Sequence, residues 1–208
     1  MNQNRLNAEQ ISSTNAIARS EIVQVVQRWG RWRDDGQWDL LRSIYAPDGL
    51  MTTSWRLGTA DEFVDSCMEA SKKGARPSMH SIGASLIEIN GDKALCETRR
   101  VLHVRGTAHG VEVDVTNHGR TFDRFVKHEG QWRIKQRNGI YERDRMDAVD
   151  PSASLKLDPA ELAKYPEGYR YLGYLQAAEG ASVNPALPTP GSAELTRLYE
   201  EGRAWFAQ

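Results

Sequence analysis

The side chains able to do acid–base chemistry in this chain are few. Five histidines are present: His80, His103, His109, His118 and His128. Imidazole titrates near neutral pH, so a histidine is the first candidate for a general base. No two histidines stand in an HxH or HExxH arrangement, and the two cysteines, Cys67 and Cys96, form no CxxC pair. No metal site is therefore expected, and both thiols read as buried apolar groups. GxSxG, P-loop and GxGxxG patterns are also missing, so neither a serine nucleophile nor a nucleotide cofactor is expected.

Other residues could shape a site around such a base. His103 falls in mid-strand and His118 follows Asn117, so these three are candidate substrate-binding groups. His109 and His128 fall at turns and read as solvated. Trp29, Trp32 and Trp55 could form an aromatic wall for a flat apolar compound, with core packing as the competing reading. Arg137, or with less support Arg133, could stabilise developing negative charge. Arg120 with Asp123, and Arg99 with Glu97, read as ion pairs.

These groups must be held by elements that the hydrophobic pattern reveals. Ile22, Val25, Val26, Trp29 and Trp32 make one helical stripe, with Ser13 or Thr14 as its cap and Gly36 as its end. Residues before Ser13 read as frayed. Trp38 to Tyr45 reads as a short second helix, Ala46-Pro47-Asp48-Gly49 as a turn, Leu50 to Trp55 as a strand, and Asp61 to Ser71 as a third helix. The pattern then alternates. Ser81–Asn90, Ala94–Arg105, Val111–Val126 and Trp132–Tyr141 read as long strands of an antiparallel meander, separated by Gly91-Asp92, Gly106–Gly110 and Glu129-Gly130. Helices followed by long strands make an α+β order, and a curved sheet under helices encloses a concave pocket. After Val149-Asp150-Pro151 the chain turns helical again, over Pro159–Tyr165, Gly168–Ala178 and Ser192–Phe206. The expected division is a domain over residues 1–145 and an extension over 146–208 that packs on it or on a neighbouring subunit.

Several segments in this order look familiar. They are Arg28-Trp29 with Trp32-Arg33-Asp34-Asp35-Gly36-Gln37-Trp38-Asp39, then Tyr45-Ala46-Pro47-Asp48-Gly49, and then His80 followed by Ile87–Ala94. Gly119–Asp123, Gly130–Ile134 and Arg137 complete the set. Together they resemble the SnoaL-like group of the nuclear-transport-factor-2-like superfamily, from about Ser13 to Tyr141. The resemblance implies a cone-shaped α+β barrel: a curved antiparallel sheet wrapped by N-terminal helices, here with a helical C-terminal extension. Lyases and isomerases of that superfamily share an Asp late in the first helix and a His on a following strand. The matching residues are Asp34 and His80, 46 residues apart. The implied roles are His80 as general base, Asp34 as its orienting carboxylate and Arg137 as charge stabiliser. The implied reaction is a cofactor-independent, dehydratase-like elimination, or a related C–C cleavage, on a small apolar cyclic or aromatic compound. An isomerase or cyclase using the same base, a non-catalytic binding protein and an oxygenase small subunit are the alternatives. One departure from the pattern is Trp29, which stands where lyase members often carry Tyr or Lys. The resemblance also implies a homodimer or homotrimer.

Composition narrows the rest. The chain has 208 residues, 39% of them hydrophobic and 26% charged, with a formal net charge of −1. A globular core is expected, and no basic field is available to attract nucleic acid. Met1 to Ser20 contains no long apolar run, so neither a signal peptide nor a membrane span is expected, and a cytoplasmic location is the default.

Overall fold

The computed structural model describes residues 2–76 and 78–208, with residues 2–12 described by their backbone alone. Helix α1 (Asn2–Asp34) buries Ile22, Val26 and Trp29, as the stripe predicts. It begins well before Ser13, because residues 2–13 contain neither Gly nor Pro to stop it. Arg31 and Arg33 fall in its last turn, where positive charge suits the helix dipole. Gly36, at φ +67°, supplies the left-handed residue that ends it. Helix α2 (Trp38–Ser43) is short. Helix α3 (Ala60–Lys72) starts with a complete capping box, Thr59 with Glu62, of a kind whose N-cap is usually worth about 1 kcal/mol. Arg42 joins α2 to α3 through Asp61 and Asp65.

Six strands follow from the alternating segments: β1 (Tyr45–Thr52), β2 (Leu57–Thr59), β3 (Met79–Asn90), β4 (Lys93–Ala108), β5 (Val111–His128) and β6 (Gln131–Ala148). Their order in one curved, open sheet is β2-β1-β6-β5-β4-β3. The meander β3 to β6 is antiparallel throughout. Strand β1 joins β6 in parallel and β2 in antiparallel fashion, which makes the sheet mixed. The expected Ala46–Gly49 turn is absorbed into β1 as a register shift between Tyr45 and Leu50. The β4–β5 connection is tighter than expected, because Ala108 already pairs with Val111 and only His109-Gly110 turn. Both have positive φ, at 50° and 78°, as a two-residue type I′ hairpin requires.

Register shifts at Ile82/Ser85, His118/Gly119 and Arg124/Phe125 bend the long strands. They decide which side chains face inward. A Cβ on Gly119 would meet the Ile140 carbonyl oxygen at 2.1 Å, so only glycine fits that bulge. Two apolar clusters cover the inner face at opposite ends. One joins α1 and α3 to Cys96, Phe125 and Ile134. The other is built by the C-terminal extension, in which helix α4 (Pro159–Leu162) and a single 3-10 turn lead into helix α5 (Arg170–Ala178). Tyr169, Leu172 and Leu175 there pack on Val113, Val115 and Tyr141. Helix α6 (Ala193–Ala207) lies on the outer face, with Leu198 against Leu95, Phe122 and Ile140. Among the described residues no helix is long and apolar enough to cross a membrane.

Candidate active site

A cavity of about 650 Å³ lies on the inner face, between α1 and α3 on one side and α5 on the other. His80, the second residue of β3, forms part of its wall. Asp34, the last residue of α1, grips His80 twice. Its Oδ2 accepts the His80 backbone N–H at 2.6 Å, and its Oδ1 lies 2.6 Å from Nδ1. This engagement fixes the imidazole and leaves Nε2 as the ring nitrogen available to a bound molecule. The close approach of α1 to β3 depends on Gly30, one turn before Asp34, where a Cβ would meet the Ile82 side chain at 2.8 Å. The two side chains keep only 10% and 17% of their exposure. Burial pushes the His80 pKa below the ordinary imidazole value, and the hydrogen bond and charge of Asp34 pull against that shift. The imidazole is therefore neutral, and able to accept a proton, at pH 7.

Arg137, on β6, also reaches the cavity. Its Nε and Nη2 hold the Asp123 carboxylate at 2.8 and 2.6 Å, and both side chains are buried. The Nη1 of Arg137 is buried without a hydrogen-bond partner. Arg137 therefore offers one unused donor, while Arg133 spends its guanidinium on the Ser43 carbonyl and Gln131. The sequence-based ion pairs exchange partners. Asp123 belongs to Arg137, and Glu97 to Arg120 at 2.8 Å, because Arg120 projects outward and Asp123 inward from neighbouring positions on β5.

The aromatic wall consists of Trp29 and Trp55, both on the cavity with Phe63 between them. The indole N–H of Trp29 is taken by the Tyr45 hydroxyl at 2.7 Å, so this tryptophan presents a ring edge-on to His80 and no free donor. Trp32 does not line the cavity. Three residues further along the helix, it packs at the rim of the core beneath the Arg28 guanidinium. His103 and His118 miss the cavity as well, because strand alternation turns both to the outer face. His103 lies 3.4 Å from the Thr116 hydroxyl, and His118 lines a shallow outer depression beside Arg143. Asn117 faces inward but is fully buried behind the wall. Its Oδ1 accepts from Arg100 and its Nδ2 donates to the Gly168 carbonyl, both at 2.9 Å.

The model of the SnoaL-like domain matches residues 14–138. This chain belongs to the SnoaL-like domain family. Pea pathogenicity protein 2 of Fusarium vanettenii is 28% identical to this SnoaL-like protein over 178 residues, which is 85% of this chain and 76% of the relative. An uncharacterised Aspergillus terreus protein is 30% identical over 199 residues, covering 85% and 70%. Among solved structures, a candidate scytalone dehydratase of Novosphingobium aromaticivorans superposes with a TM-score of 0.56 at 18% identity, over 70% of this chain and 99% of that one. Hexachlorocyclohexane dehydrochlorinase LinA-type3 of Novosphingobium barchaimii gives 0.53 at 16%, over 70% and 97%. These likenesses show the fold.

Two groups in the SnoaL-like cavity escaped the sequence reading. Arg100 lines it, retains 7% exposure and lies 4.9 Å over the Tyr141 ring. The Tyr141 hydroxyl accepts the Ser54 backbone N–H at 2.9 Å and pins the β1–β2 connection over the cavity. Arg100 carried a readable signal. It shares the parity of Cys96, Thr98 and Leu102, so strand alternation alone places it inward.

Proposed function

We propose that this protein is a cofactor-independent lyase that eliminates water or hydrogen halide from a small cyclic or aromatic compound. The observation that carries the reading is the pair of 2.6 Å contacts from Asp34 to the ring and backbone of His80, on the wall of a largely apolar cavity. In this mechanism His80 removes a proton from carbon. The electron pair left behind forms the C=C bond, and the leaving group departs with the electrons of its own bond. Asp34 holds the tautomer and stabilises the imidazolium, which then returns its proton to a departing hydroxide or releases it beside a halide. The unused Nη1 of Arg137 stabilises the negative charge that develops as the bond to the leaving group breaks. Trp29, Trp55 and Phe63 exclude water and match a flat apolar body. The dehydratase and dehydrochlorinase named among the structural likenesses fit the same chemistry.

The test is incubation of the purified full chain with a panel of cyclic alcohols and halides bearing a C–H next to the leaving group. Mass spectrometry then follows the loss of one water or one hydrogen halide. The expected result is turnover that disappears in His80→Gln. Rearranged product of unchanged mass would move the assignment to an isomerase or cyclase. Tight binding without conversion across the panel would make the protein a ligand carrier.

A further inference from the structure

The charges around the cavity are unbalanced. Arg76 and Arg105, near its mouth, are each paired with a carboxylate, Glu112 and Asp114. Arg137, deeper in, is paired with Asp123. Among the described residues Arg33 and Lys73 also line the cavity with no carboxylate in ion-pair distance. Arg33 is half-buried over the Trp38 ring and Lys73 is exposed, so solvent screens both. The buried one is Arg100, and the hydrogen bond recorded for its guanidinium runs from Nη1 to the neutral amide oxygen of Asn117. Among the described residues no carboxylate lies within ion-pair distance of it. A buried cation without a counter-ion in contact is costly, and neutral partners offset only part of that cost. The Tyr141 ring face and Asn117 are such partners. The cavity is where a counter-ion could reach it.

We infer that the compound bound here is a cyclic or aryl carboxylic acid, whose carboxylate docks on Arg100 while its carbon skeleton lies toward His80. This inference rests on the elimination reading and narrows its substrate class. A guanidinium presents a planar fork that matches a carboxylate in two parallel hydrogen bonds. The sheet register sets the spacing. Arg100 pairs with Ile82, and His80 pairs with Leu102, so the two groups stand one inward step apart along the ladder. That step is about 7 Å along a strand, the breadth of a ring. A carboxylate anchored at Arg100 therefore brings ring carbons to the base and leaves the Nη1 of Arg137 to the leaving group. The work is divided between the two arginines: one recognises the ground state and the other answers the charge that develops.

Isothermal titration calorimetry on the full chain tests this with 1-naphthoate and its neutral isostere 1-naphthamide. The expected result is at least tenfold tighter binding of the naphthoate by the native protein. Arg100→Gln should abolish that preference while leaving naphthamide affinity in place, and the retained affinity also reports an intact cavity. Equal affinities in the native protein, or a preference that survives in Arg100→Gln, would overturn the inference. If the glutamine variant does not fold, Arg100→Lys keeps the charge but loses the fork. It should lose a measurable part of the preference, and full retention would count against Arg100. His80→Gln should keep the naphthoate preference, which separates this question from catalysis. An Arg100-dependent preference without any turnover would sink the lyase reading alone. Turnover of neutral compounds without a carboxylate preference would sink this inference alone.

Discussion

Arg100 and Arg120 sit on neighbouring strands and face opposite sides of the sheet, and their surroundings differ accordingly. Arg120, outside, meets Glu97 at 2.8 Å, Glu142 at 2.7 Å and the Tyr199 hydroxyl at 2.8 Å. Its neighbours on that side follow suit, with Arg203 bidentate on Glu88 and Arg145 on Asp147. Arg100, inside, has an amide and a ring face. Arg137, inside, keeps one donor idle. The charges of Arg120, Arg145 and Arg203 are used up in fastening α6 and the strand edges. Arg124, over the Trp205 ring of α6, keeps two nitrogens without a hydrogen-bond partner, but it lies outside the cavity. Inner-face charge is left partly unsatisfied where a visiting molecule can complete it. Unsatisfied polar groups in a folded protein call for an explanation, and a ligand supplies one here.

This contrast is broken most forcefully at the dyad. His80→Gln should lower turnover by about 10²–10⁴-fold while the melting temperature stays within a few degrees of the native value. Asp34→Asn should cost a comparable factor, because an amide can hold the ring in the wrong tautomer. Rates of product release, read beside thermal melts, check both. Large losses of stability in these variants would place the pair with the structural groups of the outer face.

The next test concerns the buried ion pair. Arg137→Met leaves the Asp123 carboxylate buried and alone, so about 3–5 kcal/mol of stability should be lost in urea titrations. Replacing both, as Arg137→Met with Asp123→Leu, should recover most of that stability without recovering turnover. Recovery of both would show that Arg137 only neutralises Asp123.

Much of this architecture was readable in the sequence, and the reasons are local. The four long strands, the Gly-containing turns and the stripe of α1 depend on periodicity and turn chemistry, which neighbouring residues settle. The likeness to SnoaL-like proteins singled out Asp34 and His80. Parity sorts β4 and β5, whose pairing runs without a shift, but the bulges opposite His118/Gly119 and Arg124/Phe125 reset the count along β6. Arg137, Gly139 and Tyr141 face inward only because of those shifts. His103 and His118 have the outward parity of β4 and β5, so alternation alone takes them out of the site. Arg100 has the inward parity, although a charged residue in a strand ordinarily faces outward. The parallel seat of β1 beside β6 is a long-range pairing that no local pattern announces.

Asp144 extends the contrast to pH. It faces inward, and burial raises its pKa to about 6, against the pull of backbone N–H groups at the start of α5. The raised value means that the folded state holds this proton where the unfolded chain has released it. Its contribution to stability is complete below about pH 4 and fades as pH rises through 6. His80 slopes the other way, losing stability as pH falls below the ordinary imidazole range. The difference between native protein and Asp144→Asn removes the histidine from the comparison. That difference should change by on the order of 1–2 kcal/mol between pH 4 and 7, allowing for solvent screening. A flat difference would mean that Asp144 is well solvated and belongs with the satisfied groups.

The smallest effect is expected on the outer face. The Tyr199 hydroxyl bridges Arg120 and Glu97, at 2.8 and 2.5 Å, and its ring stands edge-on to Phe122 at 5.2 Å. Tyr199→Phe removes the bridge and keeps the ring. Arg120 and Glu97 still meet each other directly, so neither is stranded by the change. The expected loss is therefore that of one hydrogen bond, about 0.5–1.5 kcal/mol in chemical denaturation. Naphthoate affinity and turnover should not move, because α6 touches the cavity nowhere along its described length. A change in either would mean that strain on the outer face is transmitted through β4 and β5 to Arg100, and that the two faces of the sheet are energetically one.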